Sequence, residues 1–275
     1  LLGQDQKVDQ VHARQILKQL DGLPLAIELA AAQLLSGGSY YTLEAEGIEA
    51  SLESAWLLLD HRAKEALMLL QAFETGFSED DVVAFLEESD IIQTRELIRY
   101  LKARAWLHLE QLDDDIGLRI YTPLRVFLKK KAGDEGHHKA TVRLAQFCAQ
   151  AYFCFSPPDP FIQFQRARIR ALPSLRQSVR VALSINAYSL ALRCSLAAAE
   201  SMLLNGKNAQ GRSILRRITH LEGISLLEKG ALFLMQARYA RAQGDSERAL
   251  ELVSDARPLV PSEHPLQLEL SIFSI

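Results

Sequence analysis

Trp106-Leu107-His108-Leu109-Glu110 and Gly117-Leu118-Arg119-Ile120-Tyr121 are the two stretches that decide the fold of this chain. The segments before them carry apolar residues at helical spacing. These two alternate instead, with the period of a strand that buries one face. Asp113-Asp114-Asp115 between them reads as a polar tip. The pair is expected to form a small β-hairpin set into a helical chain.

Working outward toward the N-terminus, the segment Ser51-Leu52-Glu53-Ser54-Ala55-Trp56-Leu57-Leu58-Leu59 reads as a helix with a Ser cap. Asp60 caps the next helix, which turns Ala63, Ala66, Leu67, Leu69 and Leu70 inward. Phe73 to Phe77 is a turn around Gly76. Ser78-Glu79-Asp80-Asp81 opens a third helix, with its acids in the first turn, where the helix dipole favours negative charge. A fourth helix is expected at about 93–104 and, beyond the hairpin, a fifth at about 123–131. Helices followed by a small hairpin are the outline of a winged helix.

Further upstream, Val8, Val11, Ile16 and Leu20 recur at roughly helical spacing, and Asp21-Gly22 then stops that helix. In Leu20-Asp21-Gly22-Leu23-Pro24-Leu25-Ala26-Ile27-Glu28-Leu29-Ala30, Pro24 sits in the first turn of the following helix, where its missing N–H costs nothing. That helix, about 24–35, is apolar nearly all round and therefore reads as buried. Ser36-Gly37-Gly38-Ser39 is a loop.

The Gly22-Leu23-Pro24-Leu25-Ala26 segment resembles the GLPLA motif of signal-transduction ATPases, the NB-ARC proteins and their bacterial relatives. In that family a small helical domain begins there and a winged helix follows. The opening helix from Ser51 to Asp60, the turn Phe73-Glu74-Thr75-Gly76-Phe77 and the junction Arg119-Ile120-Tyr121-Thr122-Pro123-Leu124-Arg125 resemble the corresponding parts of that winged helix. The resemblance covers roughly residues 8–155. It implies that Pro24 and Leu25 form an apolar wall for an adenine base, against the plainer reading of a helix-start proline facing only protein. Related proteins place Met-His-Asp at the wing junction, where the histidine senses phosphate. Here Tyr121 and Thr122 stand in the histidine and acid positions. This chain departs from the pattern, and Tyr121 is either a neutral hydrogen-bond donor to phosphate or a packing residue.

Pro157-Pro158-Asp159-Pro160 reads as a rigid boundary, and helix pairs are expected after it. Gly244 turns the chain, Ala249, Val253 and Ala256 follow at close-packing positions, and Pro261 ends the unit. That spacing resembles a tetratricopeptide repeat. Asn186, Tyr188, Ala191 and Ala198 give a weaker match, and Gly206 with Gly211 another. The expected fold is mainly α: a helical domain at 1–50, a winged helix with its following helix at 51–156, and the start of a repeat solenoid at 157–275.

Composition sets the outer bounds. The 275 residues are 48% hydrophobic and 24% charged, enough to bury a core, and the net charge of −3 exerts no general pull on nucleic acid or anionic membrane. Cys148, Cys154 and Cys194 are odd in number and lack metal spacing, so they read as reduced thiols of a cytoplasmic protein. No apolar run reaches the length of a membrane span. The first residues read as neither a signal peptide nor a natural start, and the last stop inside an apolar helical pattern, so both ends look cut.

No catalytic constellation is legible. There is no G-x-x-x-x-G-K-[ST] segment to cradle nucleotide phosphates. His137 and His138 are adjacent and read as surface residues; Asp113-Asp114-Asp115 lacks calcium-loop spacing. No metal is expected, and no cofactor in this chain; the resemblance implies ATP or ADP in the intact protein, held by an ATPase domain upstream. Arg95, Arg99, Lys102 and Arg104 lie where a recognition helix belongs, but the acids around them argue against DNA. Arg166, Arg168, Arg170, Arg176 and Arg180 form a second basic stretch, read as a solvated face or a docking surface between domains.

The function expected by resemblance is the regulatory part of an ATP-dependent signalling or transcriptional switch, not an enzyme in itself. A protein or small-molecule inducer would bind the first helices of the repeat pairs, with Phe233, Arg238 and Tyr239 as the contact residues. The rival readings are a peptide-binding scaffold without a nucleotide role, and a DNA-binding winged helix.

Overall fold

The computed structural model describes residues 47–112, 115–154 and 161–273. The described chain is mainly helical, with one two-stranded antiparallel sheet. The GLPLA segment with Pro24 and Leu25, the tip residues 113–114 and the prolines of 157–160 lie outside the described residues. The chain forms two compact units that divide between Ala140 and Thr141, with residues 73–75 grouped with the second.

The first unit contains helices α1 (Gly47–Leu57), α2 (His61–Leu70), α3 (Glu79–Glu87) and α4 (Thr94–Ala103), then strands β1 (His108–Leu112) and β2 (Asp115–Arg119). Helix α5 (Thr122–Tyr152) begins in this unit. Two of the helix starts follow directly from the sequence. The Asp60 carboxylate accepts the Ala63 N–H at 2.7 Å, and the Ser78 hydroxyl accepts the Asp81 N–H at 3.1 Å. Ser51 does not cap a helix as expected: α1 begins at Gly47 and Ser51 lies inside it.

The hairpin is present but shifted. β1 starts two residues later than the alternation suggests because Ala105, at φ 57°, closes the C-terminus of α4. The Trp106 and Leu107 N–H groups bond back to the Leu101 carbonyl, at 3.0 and 3.4 Å, and so terminate the helix. At the other end Asp115 pairs with Leu112, so the tip is a two-residue connection. The Tyr121 carbonyl already accepts the Arg125 N–H at 2.9 Å, which assigns that residue to the start of α5. Phe77 exchanges two backbone hydrogen bonds with Leu118, at 2.9 and 2.7 Å, tying the hairpin to the turn before α3. Beneath it, Trp56, Trp106 and Phe127 meet edge to face or tilted, with centroids 5.9–6.4 Å apart.

Helix α5 runs well past the expected 131 but breaks at Gly133, whose φ of 67° and ψ of 176° lie outside the helical region. The compact units divide within the second segment of this helix, earlier than the boundary read from the prolines.

The second unit continues with α6 (Phe161–Arg170), α7 (Leu172–Ser184), α8 (Tyr188–Leu204), α9 (Asn208–Ile218), α10 (Leu226–Arg241), α11 (Ser246–Ala256), a 3-10 turn at Arg257–Leu259 and α12 (Pro265–Phe273). Neighbours in sequence are neighbours in space: α7 with α8, α8 with α9, α10 with α11. The turns after α7, α8 and α10 are the same structure three times. Asn186, Gly206 and Gly244 each take positive φ, and the next residue's N–H bonds back to Ala182, Met202 and Ala240 respectively, at 2.8–3.0 Å. Ala249, Val253 and Ala256 of α11 are buried against α10.

Candidate functional site

The site is built from the first helix of each successive pair. On α10, Ala231, Leu234, Met235 and Arg238 fall at helical stripe spacing and line a cavity of about 280 Å³. Facing them are Leu196, Glu200 and Leu204 of α8, Arg168 of α6 and Leu266 and Glu269 of α12. Phe153 and Cys154, just after α5, complete the wall. The lining is apolar except for one chain of alternating charge and the Cys154 thiol.

That chain begins at Arg168, which is 1% exposed. Its Nε and Nη2 donate to the Tyr152 carbonyl at 2.9 and 2.8 Å, at the C-terminus of α5, where a cation complements the helix dipole. Its Nη1 donates to Glu200 Oε2 at 2.6 Å, and its guanidinium lies 4.7 Å from the Phe164 ring centroid. The other oxygen of Glu200 accepts from Arg238 Nη1 at 3.2 Å. Arg238 Nη2 then donates to Glu269 Oε2. Two cations and two anions therefore alternate across the cavity floor without net charge. Burial pushes the Cys154 thiol up, so it stays protonated and neutral at ordinary pH.

Of the three expected partner-contact residues, only Arg238 faces this cavity. Phe233 is half-buried, packs on the core and has the Lys229 ammonium 5.9 Å from its ring. Tyr239 is a correction: it is 2% exposed and belongs to the core. Its hydroxyl donates to the Ala199 carbonyl at 2.5 Å, and burial raises its pKa to about 12. The phenol occupies the space left by Gly211, where a Cβ would lie 1.7 Å from the tyrosine oxygen. Arg168 is a second correction, since the basic stretch reads as a solvated face and this member of it is buried in an ionic network.

The residues missed were Glu200 and Glu269, the acid partners of Arg168 and Arg238. The available signal was position: Glu200 lies four residues after Leu196 on one face of α8, and Glu269 three after Leu266 on α12.

In the first unit Tyr121 is half-buried and stacks on His108, with ring centroids 4.0 Å apart. On α4, Arg95 pairs with Asp80 at 3.2 Å and Lys102 with Glu79 at 3.0 Å, so acids at the start of α3 occupy two of the four cations of that region. Arg104 lies over the Tyr100 ring at 4.3 Å. His137 bonds Gln71 at 2.8 Å and is half-buried, not a free surface residue. Among the described residues no group of three or more His, Cys, Asp or Glu is placed to hold a metal ion. Among the described residues no helix is long and apolar enough to cross a membrane.

No family model, curated protein or solved structure matches the chain.

Proposed function

We propose that this chain is the sensing and regulatory part of a cytoplasmic, ATP-dependent signalling or transcriptional regulator. In this reading the helix pairs receive an inducer or partner, and the helical unit with its hairpin relays that event to a nucleotide switch in an upstream ATPase domain. The chain itself controls and does not catalyse. The observation that carries the sensing part of this reading is the convergence of four successive first helices on one cavity with a fixed ionic floor; the nucleotide switch rests on the resemblance alone. A cavity assembled from several helix pairs is sensitive to their relative spacing, which is the requirement for converting occupancy into a change of packing.

The test is deletion of the helix pairs from residue 161 onward in the intact gene product. The reading expects nucleotide exchange and downstream output to become independent of the inducing signal. A response that stays fully signal-dependent without those helices would refute it.

A further inference from the structure

We propose that the cavity binds a small zwitterion of the α-amino-acid type with an apolar side chain, a proposal that rests on the sensing reading above. The argument begins with which charges are committed. Glu200 is held at both oxygens, by Arg168 and by Arg238, and Arg168 is almost fully buried. These two form a frame. Arg238 and Glu269 are more open, with side chains 27% and 32% exposed. The hydrogen bonds to Glu200 and Glu269 use two of the five N–H donors of Arg238. The contact with Arg238 engages one oxygen of Glu269. The cavity thus offers one guanidinium and one carboxylate, side by side, each with bonding capacity remaining.

A lone anion placed there meets Glu269 beside Arg238, and a lone cation meets the reverse. Either adds an uncompensated charge to a floor that is now balanced, in a partly buried setting where an unpaired charge is disfavoured. A molecule carrying both charges on one carbon extends the alternation instead: its carboxylate lies on Arg238, which favours planar two-oxygen partners, and its ammonium on Glu269. The walls select the rest of the molecule. Leu196, Leu234, Met235 and Leu266 present hydrocarbon and a thioether, and the Cys154 thiol adds no charge. The volume of about 280 Å³ lies just below the roughly 300–1,000 Å³ of pockets for drug-sized ligands, a size that accommodates a single amino acid.

Cys154 supplies the readout, because it lines the cavity while Cys148 and Cys194 are fully buried. Leucine, methionine and phenylalanine are titrated into the chain by calorimetry and as protectants against maleimide labelling of Cys154. The leucine relatives 4-methylpentanoate and isopentylamine, each lacking one charge, are titrated in parallel. At least one of the three amino acids is expected to bind and to slow labelling, with each single-charge relative at least tenfold weaker than leucine wherever leucine binds. Glu269→Gln is expected to weaken amino-acid binding at least tenfold. Leu204→Trp, at an exposed position on the cavity wall, is expected to block it without disturbing the fold. The proposal is overturned if no amino acid binds, if a single-charge relative binds as tightly as leucine, or if Glu269→Gln leaves affinity unchanged. Absent binding, combined with a deletion of the helix pairs that still uncouples the response, removes this ligand class and leaves the sensing reading. Binding without such uncoupling keeps the site and removes the reading.

Discussion

Replacing Gly211 by alanine sets two effects of known sign against each other. Helix propensity favours the change by about 1 kcal/mol, since alanine is the better helix former at an interior position of α9. The packing opposes it. The new Cβ would lie 1.7 Å from the Tyr239 oxygen and 2.5 Å from Cζ, and this ring is buried at 2% exposure. Forcing a methyl into a filled interior costs about 1–3 kcal/mol. Displacing the phenol also gives up its hydrogen bond to Ala199, a further loss of about 0.5–1.5 kcal/mol. The sum is a net destabilisation of roughly 0.5–3.5 kcal/mol. Urea denaturation followed by far-ultraviolet circular dichroism measures it, and Tyr239→Phe in the same background separates the contributions. Without the hydroxyl the 1.7 Å collision disappears but the contacts to the ring remain, so part of the cost of Gly211→Ala is relieved. A gain in stability of the size propensity alone gives, or an identical cost with and without the Tyr239 hydroxyl, would show that the close approach of α10 to α9 does not govern this position.

Alkaline stability gives a second outcome: burial raises Tyr239 from 10 to about 12, so its contribution is whole below pH 10 and is lost as pH rises toward 12. At about 1.4 kcal/mol per pKa unit this amounts to roughly 2–3 kcal/mol, and Tyr239→Phe is expected to flatten that limb in urea midpoints measured across the range. Ala105→Gly is expected to stabilise the chain by up to about 1 kcal/mol, because Ala105 holds φ at 57° where a Cβ is strained; a lower thermal midpoint would contradict this. The chain is expected to bind ADP more weakly than micromolar, since its sequence contains no phosphate-binding loop, and tight binding in calorimetry would reveal a nucleotide site elsewhere. Random duplex DNA is expected to bind no tighter than micromolar at low salt in a gel shift, because Arg95 and Lys102 already face Asp80 and Glu79; submicromolar binding with a steep salt slope would overturn that.

Local chemistry made much of the fold legible. Asp60 and Ser78 act as caps because a side-chain oxygen at a helix start has one natural donor to meet. Gly244 marks a turn because the chain reverses there through positive φ, which glycine tolerates best; Asn186 and Gly206, read only as weak repeat positions, reverse the chain in the same way. The hairpin slipped by two residues because alternation describes a face and not the point at which a helix releases the chain; Ala105 carries no sign of the left-handed turn it makes. The cavity was only half legible. Arg238 and Tyr239 are adjacent, so they point to different sides of α10. That helix is buried on both sides, by Ala231, Leu234 and Met235 on one and by Leu232 and Tyr239 on the other. A stripe count therefore does not say which side is open. Arg168 was misplaced for a different reason: its neighbours in sequence are exposed or half-buried cations, and its acid partner Glu200 lies 32 residues away.

The edge-to-face aromatic cluster under the hairpin makes this protein half dark. Trp56 and Trp106 are the only tryptophans in the chain, and both lie in the first unit, in edge-to-face contact. Emission excited at the red edge, where tyrosine does not absorb, thus reports on one unit alone. The helix pairs unfold, repack or fill their cavity without a direct contribution to that signal. A shift of the indole emission maximum on adding a non-absorbing effector of the helix pairs is, by the placement of two side chains, a measure of communication between the units.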